Sequence, residues 1–358
     1  MTFESNGLDA LRAIDAHGPV LQAGFATPWT TLFSGTGRRL GAVPIGSTHR
    51  GRPASHTIKR AHLHHALHEE ASRRGVPIQL GKRLVAAEAT ATGVRAQFAD
   101  GSQAFGDLLV GCDGVHSATR TIIDPAAPGP RYVGLLNFGG YTPGAAVGDA
   151  GVWHMIFGAR AFFGYVPDAA GGTVWFANVP GRPSSRAERD STSIDHWKRW
   201  LIELFADDRC PAMDLIAAGR LQLAADNTYD LPSVPTWHNA PLIVIGDAAH
   251  APSPSSGQGA SIAIEDGVVL AKCLHDVSGI HNAFATYEQL RRRRVERVVA
   301  QGARSSSSSK AAGPVGRILR DHMLPLVFRY LVTEKSLAWM YDHHIDWDSR
   351  VAPDAKVA

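Results

Sequence analysis

Residues 245–267 read "IGDAAHAPSPSSGQGASIAIEDG", and the fold turns on how this stretch is read. The run that leads into it, "PLIVIG" (241–246), has the composition of a buried strand, and Asp247 stands at that strand's carboxyl end. In open α/β sheets, ligands gather at that end. Pro252 and Pro254 stiffen the next loop. Gly257 and Gly259 then allow close backbone approach where "GASIAIEDGVVLAKCL" starts a largely apolar helix. A helix start offers free N–H groups and the positive end of its dipole to an anionic or electron-rich ligand. An acidic residue beside such a loop suits hydroxyl groups, not phosphates, so Asp247 points to a sugar-like polyol. An ordinary strand–loop–helix connection accounts for any one of these residues, but not for the whole string.

A second string, "DLLVGCDGVHSATR" (107–120), has the same logic. An apolar strand runs into Asp113-Gly114, then into a small-residue turn with His116, Ser117 and Arg120. Alone, it could be a plain turn.

Around these strings the chain has 358 residues, 44% hydrophobic and 19% charged, which suits a large folded core and excludes global disorder. Its net charge of +3 singles out no class of partner, and Arg291–Arg294 reads as a charged helix rather than a nucleic-acid site. Three widely spaced cysteines with no CxxC pair imply free thiols in a reducing compartment. No apolar run reaches the roughly 20 residues of a membrane helix, so the expectation is a cytoplasmic protein without stable membrane insertion. "HMLPLVFRYLV" (322–332) is apolar enough to lie on a membrane, but packing against the body is the simpler expectation. His64 and His68, one helical turn apart, lack a third ligand in a recognisable arrangement, so a solvated helix face is expected there and no metal.

The local patterns predict helices over 5–17 (with Asn6 as cap), 57–74 (stopped by Gly75) and 191–206. They predict a strand at "VPIQL" (76–80) and a hairpin over 84–105 with its turn at Asp100-Gly101. Residues 131–180 alternate and carry many aromatics, the mark of a mostly antiparallel sheet with those rings in its core. From about residue 283 the tail reads as helical, with a low-complexity break at Ser305–Ser309. The sum is an α/β nucleotide domain interrupted by a β-rich substrate domain.

The paired strings resemble the DG and GD motifs of the flavin-dependent monooxygenases with the p-hydroxybenzoate hydroxylase fold, salicylate hydroxylase-like enzymes included. "IKRAHLHHAL", "YDLPSVPTW", "RRRRVERVV" and "HHIDWD" fit the same pattern, so the resemblance runs from residue 5 nearly to the end. It implies a Rossmann-like FAD-binding domain over residues 1–125 and 238–285, an antiparallel substrate domain over 126–237, and a helical region over 286–358. It implies FAD contacts at Arg60, Asp247 (on the ribityl chain), Pro254, Gly257, Gln258, Gly259 and Ala260, and a looser FAD and NAD(P)H association for Asp113 and Gly114. The implied reaction uses NAD(P)H and O₂ to hydroxylate an aromatic or polyketide-like small molecule through a C4a-hydroperoxyflavin. Catalytic side chains vary with substrate in the family, and none is assigned. A flavin oxidase or reductase without hydroxylation, and a non-catalytic binding remnant, stay open.

The family's GxGxxG loop needs a preceding strand and a following helix. "SGTGRRLG" (34–41) has neither context and reads as a hairpin turn. The fingerprint is expected before "SNGLDALRAID", in a unit on the order of 40 residues that would precede Met1. A start-site error, a truncation or a partner would each account for that. The expected consequences are weakened FAD binding and an open strand position in the sheet.

Overall fold

The apolar run before Asp247 does form a strand, Leu242–Val244. The computed structural model describes residues 1–46, 51, 53–308, 313–330 and 332–351. The first part of the chain contains β1 (Thr2–Phe3), α1 (Ser5–Ala13), α2 (Gly18–Gln22), β2 (Gly24–Ala26), β3 (Trp29–Ser34), β4 (Arg39–Pro44), β5 (His56–Ile58) and α3 (Arg60–Arg73). Next come β6 (Leu84–Thr90), β7 (Gly93–Phe98), β8 (Gln103–Gly106), β9 (Leu109–Gly111) and α4 (Ala118–Ile123). The aromatic stretch forms β10 (Arg131–Thr142), β11 (Val152–Phe157), β12 (Phe162–Pro167) and β13 (Thr173–Pro180). It is followed by α5 (Arg186–Ser191), α6 (Ile194–Leu204), α7 (Ala212–Ala218) and β14 (Arg220–Asp230). The chain closes with β15 (His238–Asn239), β16 (Leu242–Val244), α8 (Gly259–Asp276), α9 (Ile280–Ser308), α10 (Pro314–Tyr330) and α11 (Glu334–Tyr341).

Four sheets result. β16 pairs in parallel with β9, so the strands that lead into the two motif loops lie side by side, with β15 on the other flank of β16. The large sheet has the order β14-β10-β13-β12-β11-β3-β4. Its pairs are antiparallel except β11 with β3, which are parallel, and it takes in β3 and β4 from the N-terminal part of the chain. The "SGTGRRLG" segment is the β3–β4 turn, with Gly37 at φ +82°. The remaining sheets are β1-β5-β2 and the meander β6-β7-β8.

The aromatic alternation predicts the core of the large sheet correctly. Phe138, Phe163, Tyr165 and Trp175 are buried with Trp197, Leu201 and Phe205, three side chains from α6 and its end. A second core forms beneath β16, where Ile243, Val244 and Ile245 meet Val268 and Cys273 of α8 and Phe284 and Tyr287 of α9. α1 lies along α8. Gly7 makes this possible, since a Cβ there would sit 2.8 Å from Ser261 Cα. α10 sets Leu324 and Phe328 against Leu32, Leu40, Phe157 and Phe162, so this helix packs on the large sheet and leaves Leu326 and Tyr330 exposed. Among the described residues no helix is long and apolar enough to cross a membrane.

Several local expectations are corrected. Residues 76–80 form no strand: Val76, Ile78 and Leu80 are exposed, and no neighbour among the described residues supplies ladder hydrogen bonds. Residues 84–106 make a three-stranded meander rather than one hairpin, because Gly93 at φ +150° adds a second turn before the one at Gly101. The 5–17 helix breaks after Ala13, with Asp15 in the left-handed region, and resumes as α2. α9 continues through Ser305 to Ser308 where a break was expected, its alanines and arginines carrying the helix into the serines; Ser309 lies outside the described residues.

Phe163 is fully buried, with ring contacts to Trp175 and Phe205 at centroid distances of 6.0 and 5.3 Å. Phe163→Ala is expected to destabilise the protein by about 3–5 kcal/mol, as a shift of the urea midpoint. A change under about 1 kcal/mol would mean that this sheet face is not the core.

Candidate functional site: the turns after β9 and β16

Both motif strands end in a glycine-containing turn, and the two turns are tied together. After β16, Gly246 takes φ +58° and opens a short 3-10 turn that carries Asp247. After β9, Asp113 and Gly114 turn the chain, with Gly114 at φ +81°. Arg120 is buried and bridges them, donating to Ala248 O and to Val115 O, each at 2.9 Å.

Asp113 is engaged locally. Its carboxylate accepts from Ser117 Oγ, Thr119 N and Thr119 Oγ1, which closes the start of α4. Its pKa is lowered: these hydrogen bonds outweigh the opposing, and individually largest, effect of burial. Asp247 differs. It is half-buried, and burial raises its carboxyl above the ordinary range, opposed by His250 and Arg60. Arg60, the first residue of α3, is exposed and lies within electrostatic reach of Asp247.

Pro254 begins a second 3-10 turn, and Gly257 ends it at φ +69°. That left-handed conformation is where glycine is favoured. Gln258 precedes α8 and is fully buried, and Gly259 and Ala260 open the helix. The structure thus puts Arg60 within electrostatic reach of Asp247, with the Pro254–Ala260 turn at the far end of the same β16–α8 connection and Asp113 and Gly114 in the turn that Arg120 ties to Ala248.

The frame behind this loop is ionic. Asp266 of α8 accepts from Gly246 N (2.9 Å), pairs with His250 Nε2 (2.6 Å) and pairs with Arg291 Nε (2.7 Å). Its neighbour Glu265 meets Arg291 and Arg294, both at 2.7 Å. Burial alone would raise both carboxyls, but the surrounding cations hold them below the ordinary range. Asn6 of α1 donates to Glu265 Oε1 (2.6 Å) and to Gln258 Oε1 (3.0 Å). Asn6 is therefore a cross-helix link and not a cap, because α1 begins one residue earlier. Sequence patterns single out neither Glu265, Asp266 nor His250, name Asn6 only as a cap, and read Arg291 only as part of a charged helix. The available signal was an acidic pair inside an apolar helix together with an arginine run on the next one.

The site retains unused hydrogen-bonding capacity. Gln258 Nε2, Asn6 Oδ1 and His250 Nδ1 are buried without partners among the described residues. Buried polar atoms of this kind call for an explanation. A helix start, a glycine turn, an unpaired amide and an acid suited to hydroxyls form a donor and acceptor set that fits FAD. The groove of about 560 Å³ between His238 and α9, lined by Glu288, Arg292 and Arg293, contains none of these residues.

Fold and site together define an α/β nucleotide-binding protein. The chain belongs to the FAD binding domain family, which it matches over residues 3–302. It is 28% identical to the aurachin C monooxygenase/isomerase of Stigmatella aurantiaca, covering 84% of this chain and 76% of that one. It is 30% identical to the 6-hydroxynicotinate 3-monooxygenase of Pseudomonas fluorescens, covering 75% and 71%. With the FAD-dependent urate hydroxylase of Klebsiella pneumoniae it shares 32% identity, covering 62% of this chain and 57% of that relative's length. Its fold matches the structure of Klebsiella pneumoniae HpxO complexed with FAD and uric acid at a TM-score of 0.79 and 22% identity, covering 95% and 87%. A salicylate hydroxylase substrate complex matches at 0.76 and 22%, covering 96% and 87%. The family is that of the FAD-dependent monooxygenases, and FAD is its cofactor.

Arg291 is 1% exposed between two carboxylates, so Arg291→Met should cost about 3–5 kcal/mol at neutral pH. Depressed carboxyls contribute stability above their ordinary range, and that stability is lost as pH falls through their folded pKa. The gap between wild type and variant should therefore narrow below about pH 4, in urea titrations at the two pH values. A gap independent of pH would contradict the network.

Proposed function

We propose that the protein is a monooxygenase that uses NAD(P)H and O₂ to hydroxylate a small aromatic or polyketide-like molecule. One oxygen atom enters the substrate, the other leaves as water, and NAD(P)H is oxidised to NAD(P)⁺. FAD, when bound, supplies the electron transfer from NAD(P)H and the activation of O₂. The observation that carries the reading is the turn before α8, where a left-handed Gly257 is followed by a buried Gln258 with a spare amide N–H, in the same β16–α8 connection that bears Asp247.

In this reading Asp247 holds the hydroxyls of the FAD sugar chain, and Arg60 balances charge beside it. Gly257, Gln258 and Gly259 hold the flavin end and the pyrophosphate, with Pro254 and Ala260 setting the turn. Asp113 and Gly114 shape the adjoining loop toward FAD and NAD(P)H. The large sheet supplies the apolar wall for the substrate. Substrates named for the relatives, urate and 6-hydroxynicotinate, are small nitrogen heterocycles, and an aromatic substrate follows from that likeness. A cytoplasmic setting agrees with Cys112, Cys210 and Cys273 being free.

The protein incubated with FAD should take up flavin and oxidise NAD(P)H faster when an aromatic acceptor is present, with the hydroxylated product found by mass spectrometry. Uncoupled peroxide release with every acceptor would favour an oxidase, and a colourless protein that ignores FAD would end the reading. Asp247→Ala should weaken FAD binding about tenfold to a hundredfold, measured by flavin fluorescence, with an unchanged circular dichroism spectrum.

A further inference from the structure

Glu4 is not among the residues of the candidate FAD site, yet its carboxyl lies against that site. The residue sits between β1 and α1, is 3% exposed, and its N–H donates to Ser261 Oγ in the first turn of α8 at 2.9 Å. A Cβ built on Gly257 would come within 3.0 Å of Glu4 Oε1, so this carboxyl oxygen abuts the turn that opens α8. The other oxygen accepts from Ser55 Oγ, also fully buried. Ser55 belongs to a polar chain that reaches the large sheet. Trp153 Nε1 donates to Thr57 Oγ1 at 2.9 Å, Thr57 Oγ1 to Thr27 Oγ1 at 3.2 Å, and Thr27 N to Ser55 O at 2.7 Å.

Among the described residues no cation pairs with Glu4. From α11 it faces Tyr341, a buried phenol that feels its charge. Across α8, Glu265 is already matched by Arg291 and Arg294. α1 presents Asn6, which is turned to Glu265 and Gln258. A carboxylate in such surroundings goes without the charge partner that burial demands.

We propose that Glu4 is a positioning residue for FAD: its uncharged carboxyl, held by Ser55, braces the Gly257 turn, and its ionisation weakens the hold on FAD. The inference rests on the start of α8 being the FAD site. Burial pushes this carboxyl up to about 7, and the Ser55 hydrogen bond opposes that rise. Negative charge at Glu4 would offset the positive end of α8 that favours an electron-rich or anionic ligand. FAD binding thus favours the protonated acid, and affinity declines as pH rises through the Glu4 transition.

The test is the FAD dissociation constant, read by flavin fluorescence from about pH 6 to about pH 8.5, for wild type, Glu4→Gln and Ser55→Ala. Each unit by which bound FAD raises the Glu4 pKa appears as about tenfold weaker binding to wild type across the window. Glu4→Gln, an isosteric neutral amide, should bind as wild type does in acid and stay flat with pH. Ser55→Ala removes the hydrogen bond that favours the ionised form and should move the transition to higher pH. Parallel pH curves for wild type and Glu4→Gln would overturn the assignment. Infrared difference titration of the protein without FAD gives a separate readout: wild type but not Glu4→Gln should show a carboxyl ionising near pH 7. Absence of that band would overturn the proposal even if FAD binds. Its presence in a protein that takes up no FAD would instead retire the FAD reading of α8 and leave the titrating Glu4 established.

Discussion

The guanidinium of Arg291 lies fully buried between Glu265 and Asp266, and the rest of the site depends on that contact. Burying three charges is costly unless every one is matched. Here each is, because Arg294 shares Glu265 and His250 shares Asp266. The network joins α9 to α8. It also reaches both ends of the loop between β16 and α8 from behind. Asp266 takes the N–H of Gly246 and so fixes the turn that bears Asp247. Glu265 takes the amide of Asn6, which in turn holds Gln258 at the start of α8. An ionic clamp thereby sets the position of a loop whose own residues are mostly uncharged.

The clamp leaves part of the loop's hydrogen-bonding capacity unspent among the described residues. Gln258 accepts from Asn6 through its carbonyl oxygen, and its amide nitrogen has no partner among the described residues. Gly257 supplies a left-handed turn without a side chain in the way. Asp247 faces partial burial with no hydrogen-bond partner among the described residues, unlike Asp113, whose oxygens are spent on Ser117 and Thr119. Two acids in corresponding turns therefore have different characters. The difference lies in the next residues of each loop: Ser117 and Thr119 after Asp113, a Pro/Ser run after Asp247.

Much of this was legible in the chain. The strand into Asp247, the helix from Gly259 and the aromatic sheet follow from patterns a few residues long, where composition and periodicity suffice. The failures share a cause. "VPIQL" has the composition of a strand, but a strand needs a partner, and none among the described residues pairs with it. Asn6 has the chemistry of a cap, but α8 offers it two stronger partners. The arginine run reads simply as a charged helix because a helical sequence does not say which side will meet Glu265 and Asp266.

Sequence alone determined the two strand–turn motifs and the family they belong to, since glycine, proline and acidic residues at those spacings restrict the backbone locally. The tertiary structure decided which polar groups are spent and which are spare. Only the fold places Arg291 between two acids from another helix, sets β9 beside β16, and brings Glu4 against a turn more than 250 residues away. Charge matching and desolvation depend on what surrounds a group in space, and a linear chain does not carry that information until it has folded.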